Sequence, residues 1–439
     1  MTPTHRGQDE NVRLESVSAP RPWWGRLRPS LFYLSLLGPG VVAAVAGDDA
    51  GGIATYSTVG ASYGYRLLWA LALMTVSLAV VQEMSARLGA VTGQGLADLI
   101  RERFGLRWTA ITLLALLVAN AATTASEFAG IAAALELVGV SRYVSVPVAA
   151  VSIWILVVWG SYRRVERVFL AMGLALLAYP ATAFLIGPDW GEIARQVVSP
   201  TFSLDPDYLV TLVAMTGTTI TPYMQIFAQS ATAEKGVDLE YYGWERADAY
   251  IGAVATNVIA FFIIVSTAAT LFPLGIRIET AADAALALVP LAGPLAGLVF
   301  ALGLLGASIL AAGVLPLATA YPISEALGLE RGVSRSFRDA PVFMGVFTGL
   351  IVLGAAITLI PGLSLVPLLI LVQVVNGLLL PVVLVSIVRL SGDRDLLGAY
   401  ANGWIYGAVG WVTVFVVSAL SLAMVAIVLL GQIGIAFGA

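Results

Sequence analysis

The sequence predicts an all-α polytopic membrane protein. About eleven transmembrane helices are expected, as two repeats of five in opposite orientation followed by one further helix. Three observations predict this. Only 11% of the 439 residues are charged while 59% are hydrophobic, against roughly 25% charge in a soluble globular chain. Basic residues crowd one set of loops and are sparse on the alternate set. Two apolar segments, five spans apart, are interrupted at mid-depth by residues that suit a straight helix poorly.

The same arithmetic excludes several classes of function. A net charge of −4 gives no basic footprint for nucleic acid. With no Cys there is no disulfide, thiolate metal site or redox pair. The one His is His5, ahead of the spans, so neither a Ser-His-Asp triad nor a His-based metal centre forms among them. No enzyme activity and no cofactor are expected. The partners expected are the lipid bilayer and a transported ion.

Along the chain, residues 1–29 are polar and Arg-bearing without the apolar core of a signal peptide, and read as a cytoplasmic tail. Apolar blocks of spanning length follow at about 31–61, 66–88, 108–131, 144–161, 168–187, 207–231, 248–273, 292–318, 341–360, 365–389 and 404–430. The transmembrane domain thus covers 30–430. The first repeat is about 31–187, the second about 207–389, the extra helix about 404–430, and 431–439 is a short C-terminal tail.

Lys and Arg set the direction. Arg6, Arg13, Arg21, Arg26 and Arg28 precede the first span, and Arg101, Arg103 and Arg107 follow the second. Arg163, Arg164 and Arg167 follow the fourth, Lys235 and Arg246 the sixth, Arg331, Arg335 and Arg338 the eighth, and Arg389 and Arg394 the tenth. The opposite side carries Arg66, Arg142, Arg195 and Arg277. The N-terminus is therefore expected in the cytoplasm and, with an odd count, the C-terminus outside a plasma membrane (the inner membrane in a bacterium).

The first interruption reads Ala46-Gly47-Asp48-Asp49-Ala50-Gly51-Gly52. Glycine weakens a helix interior, and carboxylates at this depth are costly unless they serve a purpose. The block is also too long for one straight span, so two half-helices are expected to meet near residues 47–51. The sixth span carries the matching defect, Thr216-Gly217-Thr218-Thr219-Ile220-Thr221-Pro222-Tyr223. Pro222 removes a backbone donor and clashes with the preceding turn. Gly217 and the β-branched run 218–221 weaken the helix before it. Unwound backbone at membrane depth is tolerated where it lines a cavity. One Gly or Pro kink means little, but two in corresponding positions of two halves point to an inverted-repeat transporter with its site at the breaks.

A carboxylate beside opened carbonyls suits a cation. No Lys or Arg lies mid-span in the first or sixth segment to pair with Asp48 or Asp49, though a paired structural carboxylate is the alternative. The other partners at hand are hydroxyls (Thr218, Thr219, Thr221) and amides (Gln373, Asn376). Such hard oxygen ligands suit Mg²⁺, Ca²⁺ and Mn²⁺, whereas sulfur and imidazole select softer metals. Mg²⁺ is usually held through one or two carboxylates with waters retained, and Gly51 and Gly52 leave room for them. Elsewhere, Glu83 and Arg87 share one face of the second span, as an ion pair or a gating pair. Glu127 lies mid-span in the third, where a neutral buried carboxyl and a charged functional one are equally good readings.

These residues resemble the Nramp family of divalent-metal transporters. Gly38-Pro39-Gly40 followed by Ala46 to Gly60 is similar to the family's first helix, where an Asp-Pro-Gly-Asn motif binds metal. Gln82 to Gly93, with Gly95 to Asp98 after it, is similar to the second helix. Ser161 to Glu166 resembles the turn after the fourth, and Gln373 stands where the tenth carries a glutamine near the metal. The resemblance covers nearly the whole chain after the tail. It implies a leucine-transporter-type fold with Asp49 as primary ligand, Asp48 adjacent, and Ala46 and Thr218 at the carbonyl-ligand positions.

The departures are informative. Ala50 takes the place of the motif Pro and Gly52 that of the Asn, so an amide ligand is lost. Thr221-Pro222-Tyr223 stands where the family has Met-Pro-His, exchanging a thioether for a hydroxyl. Glu127 matches a Glu used in proton movement, but Thr124 stands at its partner Asp, and Tyr223 replaces the motif His. Together these imply a harder, wetter site with weak or no proton coupling, similar to the Nramp-related magnesium transporter branch. Uptake of Mg²⁺, and also Mn²⁺, is thus expected. A proton-coupled Mn²⁺/Fe²⁺ transporter and a sodium-coupled carrier of a small organic solute are the alternatives.

Overall fold

In a computed structural model, residues 49–158, 172, 174–235, 242–330 and 337–432 are described. The described chain is helical, and its helices begin and end where local chemistry dictates. α1 (Ala50–Tyr63) starts at Asp49, whose carboxylate caps the helix by accepting from Gly52 N, and stops at Gly64 with φ 60°. α2 (Leu68–Thr92) ends at Gly93 in the left-handed region. α3 (Leu96–Glu136) bends at Gly105, whose φ of 77° and ψ of 174° are not helical. The sequence predicted a third span starting near 108. The residues before Gly105 form a separate approach helix that periodicity alone merged with a loop.

α4 (Arg142–Val158) and α5 (Ala178–Ile186), which follows a 3-10 turn over Leu174–Leu177, match the fourth and fifth spans as far as these are described. A surface helix, α6 (Trp190–Val198), comes next, with Asp189 as its cap. The sixth span is two helices, α7 (Pro206–Thr219), which opens on an Asp205 cap and Pro206, and α8 (Pro222–Lys235). The long helices that follow are α9 (Tyr242–Thr270), α10 (Ala296–Ala326), α11 (Pro341–Thr358), α12 (Leu365–Ser391) and α13 (Trp404–Gln432). Among the described residues, seven helices are long and apolar enough to cross a membrane. The first and sixth spans are not among the seven, because each described half-helix has only 14 residues.

α10 and α12 both pack along α3, α12 also lies against α7, and α9 covers α1 and α2. The main apolar core gathers around α1, where Ile53, Tyr56 and Val59 meet Phe128, Ile131 and Ile264. A second core joins Leu88, Leu99, Ile226, Leu384 and Ile387 at the other end of the bundle. Outward faces are apolar too: Val144, Val148 and Val151 on α4, Val352 on α11, and Phe415 and Leu422 on α13 are exposed. An apolar belt of this extent is a lipid-facing surface rather than a water-facing one. The protein is a multi-pass membrane protein.

Candidate metal centre

The break in the sixth span is narrower than its sequence suggests. α7 runs through Thr218 to Thr219, and only Ile220 (φ −116°, ψ 62°) and Thr221 separate it from α8. Thr216 Oγ1 bonds back to Leu212 O at 2.8 Å and Thr219 Oγ1 to Met215 O at 2.7 Å. Thr218 and Thr219 thus remain in the helix, and the β-branched run leaves it only at Ile220 and Thr221. Gly217 has a different role from the predicted one. A Cβ there would lie 2.1 Å from Gln373 O and 2.4 Å from Gly377 N, so its absence lets α7 lie directly on the backbone of α12. Gly377 reciprocates against Val213 O at 2.5 Å.

That close approach delivers Gln373 to Asp49. Both are fully buried. Asp49 Oδ1 accepts from Gly52 N at 2.6 Å, and Gln373 Nε2 donates to Oδ1 at 3.2 Å and Oδ2 at 3.4 Å. Gly51 makes the reach possible, since a Cβ there would sit 1.9 Å from Gln373 Nε2. Thr218 faces the same spot: its Oγ1 lies 2.9 Å from where a Cβ on Gly52 would stand, and this buried hydroxyl has no hydrogen-bond partner. Tyr56 OH and Thr219 Oγ1, 2.9 Å apart, close the neighbouring turn.

Glu127 comes to the same helix start from α3. Its Oε2 accepts from Ala50 N at 3.3 Å, while Oε1 is buried without a partner. A carboxylate on the first free N–H of a half-helix is favoured by that helix's dipole. Gly130, one turn on, leaves room for Ala50 and Ser308.

Of the residues singled out from sequence, the structure brings Asp49, Gly52, Thr218, Gln373 and Glu127 together. Thr221 is buried between the two halves of the sixth span. Tyr223 packs with Met224, Ala311 and Leu315 in a small buried cluster. Asp48 and Ala46 lie outside the described residues, as do the first half of the first span, Arg163 and Arg164. Among the described residues, no three His, Asp or Glu side chains gather into a metal cage. Sequence reasoning had named Asn376 only as an amide at hand. In the structure it bonds to Gln373 itself, three residues away on α12.

Nearer the other end of α2, Glu83 and Arg87 form the ion pair their spacing suggested, at 3.4 Å. Tyr242 OH also donates to Glu83, and Arg87 Nη1 reaches Tyr400 O at 3.1 Å. The buried pair ties α2 to the start of α9 and to the loop before α13.

A span broken at mid-course, packed beside a helix that starts on a buried carboxylate, is the arrangement of a membrane transporter with its site at the break. MhsT, whose structure was solved with L-phenylalanine, shares that architecture with a TM-score of 0.58 at 14% identity, over 89% of this chain and 98% of that one. The manganese transporter of Eremococcus coleocola is more similar, with a TM-score of 0.76 at 21% identity, over 96% of this chain and 91% of that one. At these identities the likeness concerns the fold.

Residues 40–427 match the natural resistance-associated macrophage protein-like (Nramp) family model, and the chain belongs to that family. The divalent metal cation transporter MntH of Ralstonia nicotianae is 29% identical over 433 residues, covering 93% of each chain.

Proposed function

We propose that the protein is a secondary transporter that takes up divalent metal cations, Mg²⁺ foremost and Mn²⁺ as well. In this reading the ion moves partly hydrated and with weak or no proton coupling. The observation that carries it is the buried Asp49 carboxylate at the start of a half-helix, faced by an amide and an unpartnered hydroxyl. Asp49 is the primary ligand, and Gln373, Thr218 and Thr221 complete an oxygen lining partly through water. Asp48, one residue away, draws cations in, and the carbonyls of Ala46 and Thr218 contribute from the breaks. Gly52 leaves space where an amide ligand stands in relatives. These groups include neither thioether nor imidazole, the ligands that favour softer metals.

The family and the curated MntH relatives support divalent metal as the cargo. The hard lining supports Mg²⁺. Thr124 and Tyr223, where the resemblance expects ionisable groups, support weak proton coupling, with Glu127 left as an anchor for the half-helix. The arginine asymmetry supports a cytoplasmic N-terminus, an outside C-terminus and a plasma-membrane location. In alternating access, the bundle that holds the first and sixth spans rocks against the rest around the fixed site.

A second reading is a proton-coupled Mn²⁺/Fe²⁺ transporter, which the membership of the Nramp family also allows. One experiment separates the readings. The purified chain in liposomes is given Mg²⁺, Mn²⁺, Ca²⁺ or an amino acid, while internal pH is followed. Metal influx without acidification is expected. Influx with stoichiometric acidification supports the second reading, and Na⁺-dependent amino-acid influx alone defeats both. Asp49→Asn keeps an oxygen to cap the helix but removes the charge. If it transports Mg²⁺ as well as wild type, Asp49 is not the ligand.

A further inference from the structure

The amide of Gln373 shows Asp49 its nitrogen. A carboxylate accepts and does not donate, so the donor end of the amide must face it. The other end is fixed as well: Gln373 Oε1 accepts from Asn376 Nδ2 at 3.0 Å. Asn376 Nδ2 also lies 3.0 Å from Thr123 Oγ1, and Thr123 Oγ1 lies 2.9 Å from Ala119 O. The result is a buried chain that links α3, α12 and α1. Asn376 Nδ2 donates to both sides of it, to Thr123 Oγ1 and to Gln373 Oε1, and Gln373 donates on to Asp49. None of Thr123, Asn376 and Gln373 is more than 1% exposed.

A divalent cation on Asp49 reverses what that chain must offer. The N–H hydrogens of Gln373 would point at positive charge, so the amide must turn its oxygen to the ion. Its nitrogen then faces Asn376, which must present Oδ1 in place of Nδ2. Thr123 allows this at little cost, because its hydroxyl lies 3.2 Å from Asn376 Oδ1 as well as 3.0 Å from Nδ2. A hydroxyl both donates and accepts. It can therefore release Ala119 O and donate to Asn376, whichever way that amide points.

We propose that Asn376 is a positioning residue that, with Thr123, sets which end of the Gln373 amide faces Asp49. In this view the two amides invert together when a divalent cation binds. The inference rests on the reading of Asp49 and Gln373 as ion ligands. Asn376 never touches the ion and acts only through Gln373.

The test is a double-mutant cycle on the full chain in liposomes, with initial rates of Mn²⁺ uptake as the readout. Asn376→Leu leaves the turned nitrogen of Gln373 without an acceptor, and a buried amide nitrogen is harder to leave unpaired than a carbonyl. KM for Mn²⁺ is expected to rise about tenfold, with the maximal rate nearly unchanged. Asn376→Asp has the same shape but, ionised, only accepts, and so holds Gln373 in the ion-facing orientation. KM is expected to fall at least threefold, and the maximal rate to fall with it as release slows.

Both effects should vanish in a Gln373→Leu background, where no amide remains to be turned. A purely structural or purely electrostatic role of residue 376 leaves them in place. KM within twofold of wild type in both Asn376 variants, or effects of equal size with and without Gln373, overturns the proposal. If Asn376→Leu fails to fold, the isosteric Asn376→Asp still decides. A flat cycle in a protein whose wild type takes up Mn²⁺ and whose Asp49→Asn variant does not sinks only this inference. A wild type that takes up no Mn²⁺, Mg²⁺ or Ca²⁺ sinks the transport reading with it.

Discussion

Gly51→Ala tests the Gln373–Asp49 contact directly. The new Cβ would stand 1.9 Å from Gln373 Nε2, 2.8 Å from Cδ and 3.0 Å from Cγ. Ordinary contact begins near about 3.5 Å, so the amide has to withdraw by about 1.6 Å. The atoms in the way are the end of a flexible side chain, so the backbone need not move. Withdrawal takes Gln373 Nε2 beyond hydrogen-bond distance of Asp49, where it now lies at 3.2 and 3.4 Å. A hydrogen bond to a charged group contributes about 1.5–3 kcal/mol. If the oxygen of Gln373 ligates the ion from the same place, losing a contact of that size lowers apparent ion affinity by about tenfold to a hundredfold. Alanine is the better helix former by about 0.5–1 kcal/mol, which offsets part of the lost hydrogen bond, so a net loss of stability of about 0.5–2.5 kcal/mol is expected. Initial-rate uptake of Mg²⁺ and Mn²⁺ in liposomes gives the first quantity, and a melting curve in detergent the second. A KM within twofold of wild type, in a variant that melts within that range, would refute the assignment of Gln373 as an ion ligand.

Other outcomes follow from the same geometry. Gly217→Ala drives a Cβ into Gln373 O and Gly377 N of α12, backbone atoms that cannot swing away. A loss of about 1–3 kcal/mol or more is expected, read as a lower Tm or a failure to recover folded protein. Arg87→Ala leaves Glu83 buried without its cation. Breaking such a pair costs about 3–5 kcal/mol, less whatever Tyr242 returns through its bond to Glu83, and a melting curve measures it. Thr221→Met puts a thioether between the two halves of the sixth span. The ratio of Mn²⁺ to Mg²⁺ uptake should rise severalfold, because sulfur favours the softer ion, and competition uptake with both ions present reports it.

How much was legible in the sequence depends on the range of the interaction. That a helix begins close to Asp49 was legible, because glycines beside two carboxylates at mid-depth mark a local break near residues 47–51. The Glu83–Arg87 pair was legible because it too is local, four residues apart on one helix. The role of Gly217 was misread: its place in a Thr-rich stretch suggested that it weakens the helix, whereas the helix runs past it to Thr219 and Gly217 serves the close approach to α12. The bend at Gly105 was missed because hydrophobic periodicity does not register a single positive φ.

By itself the sequence determined that this chain lives in a bilayer and that its sixth span fails just before Pro222. It also determined which hard ligands are at hand. Those properties are set by composition and by contacts within a turn or two of the chain. Only the tertiary structure decided which of those groups meet. Gln373 reaches Asp49 across 324 residues, Glu127 reaches Ala50 across 77, and Thr123 reaches Asn376 across 253. Contacts of that range leave no periodic trace in the sequence. They depend on how closely α3, α7 and α12 pack, and that closeness is set by missing side chains at Gly51, Gly130, Gly217 and Gly377.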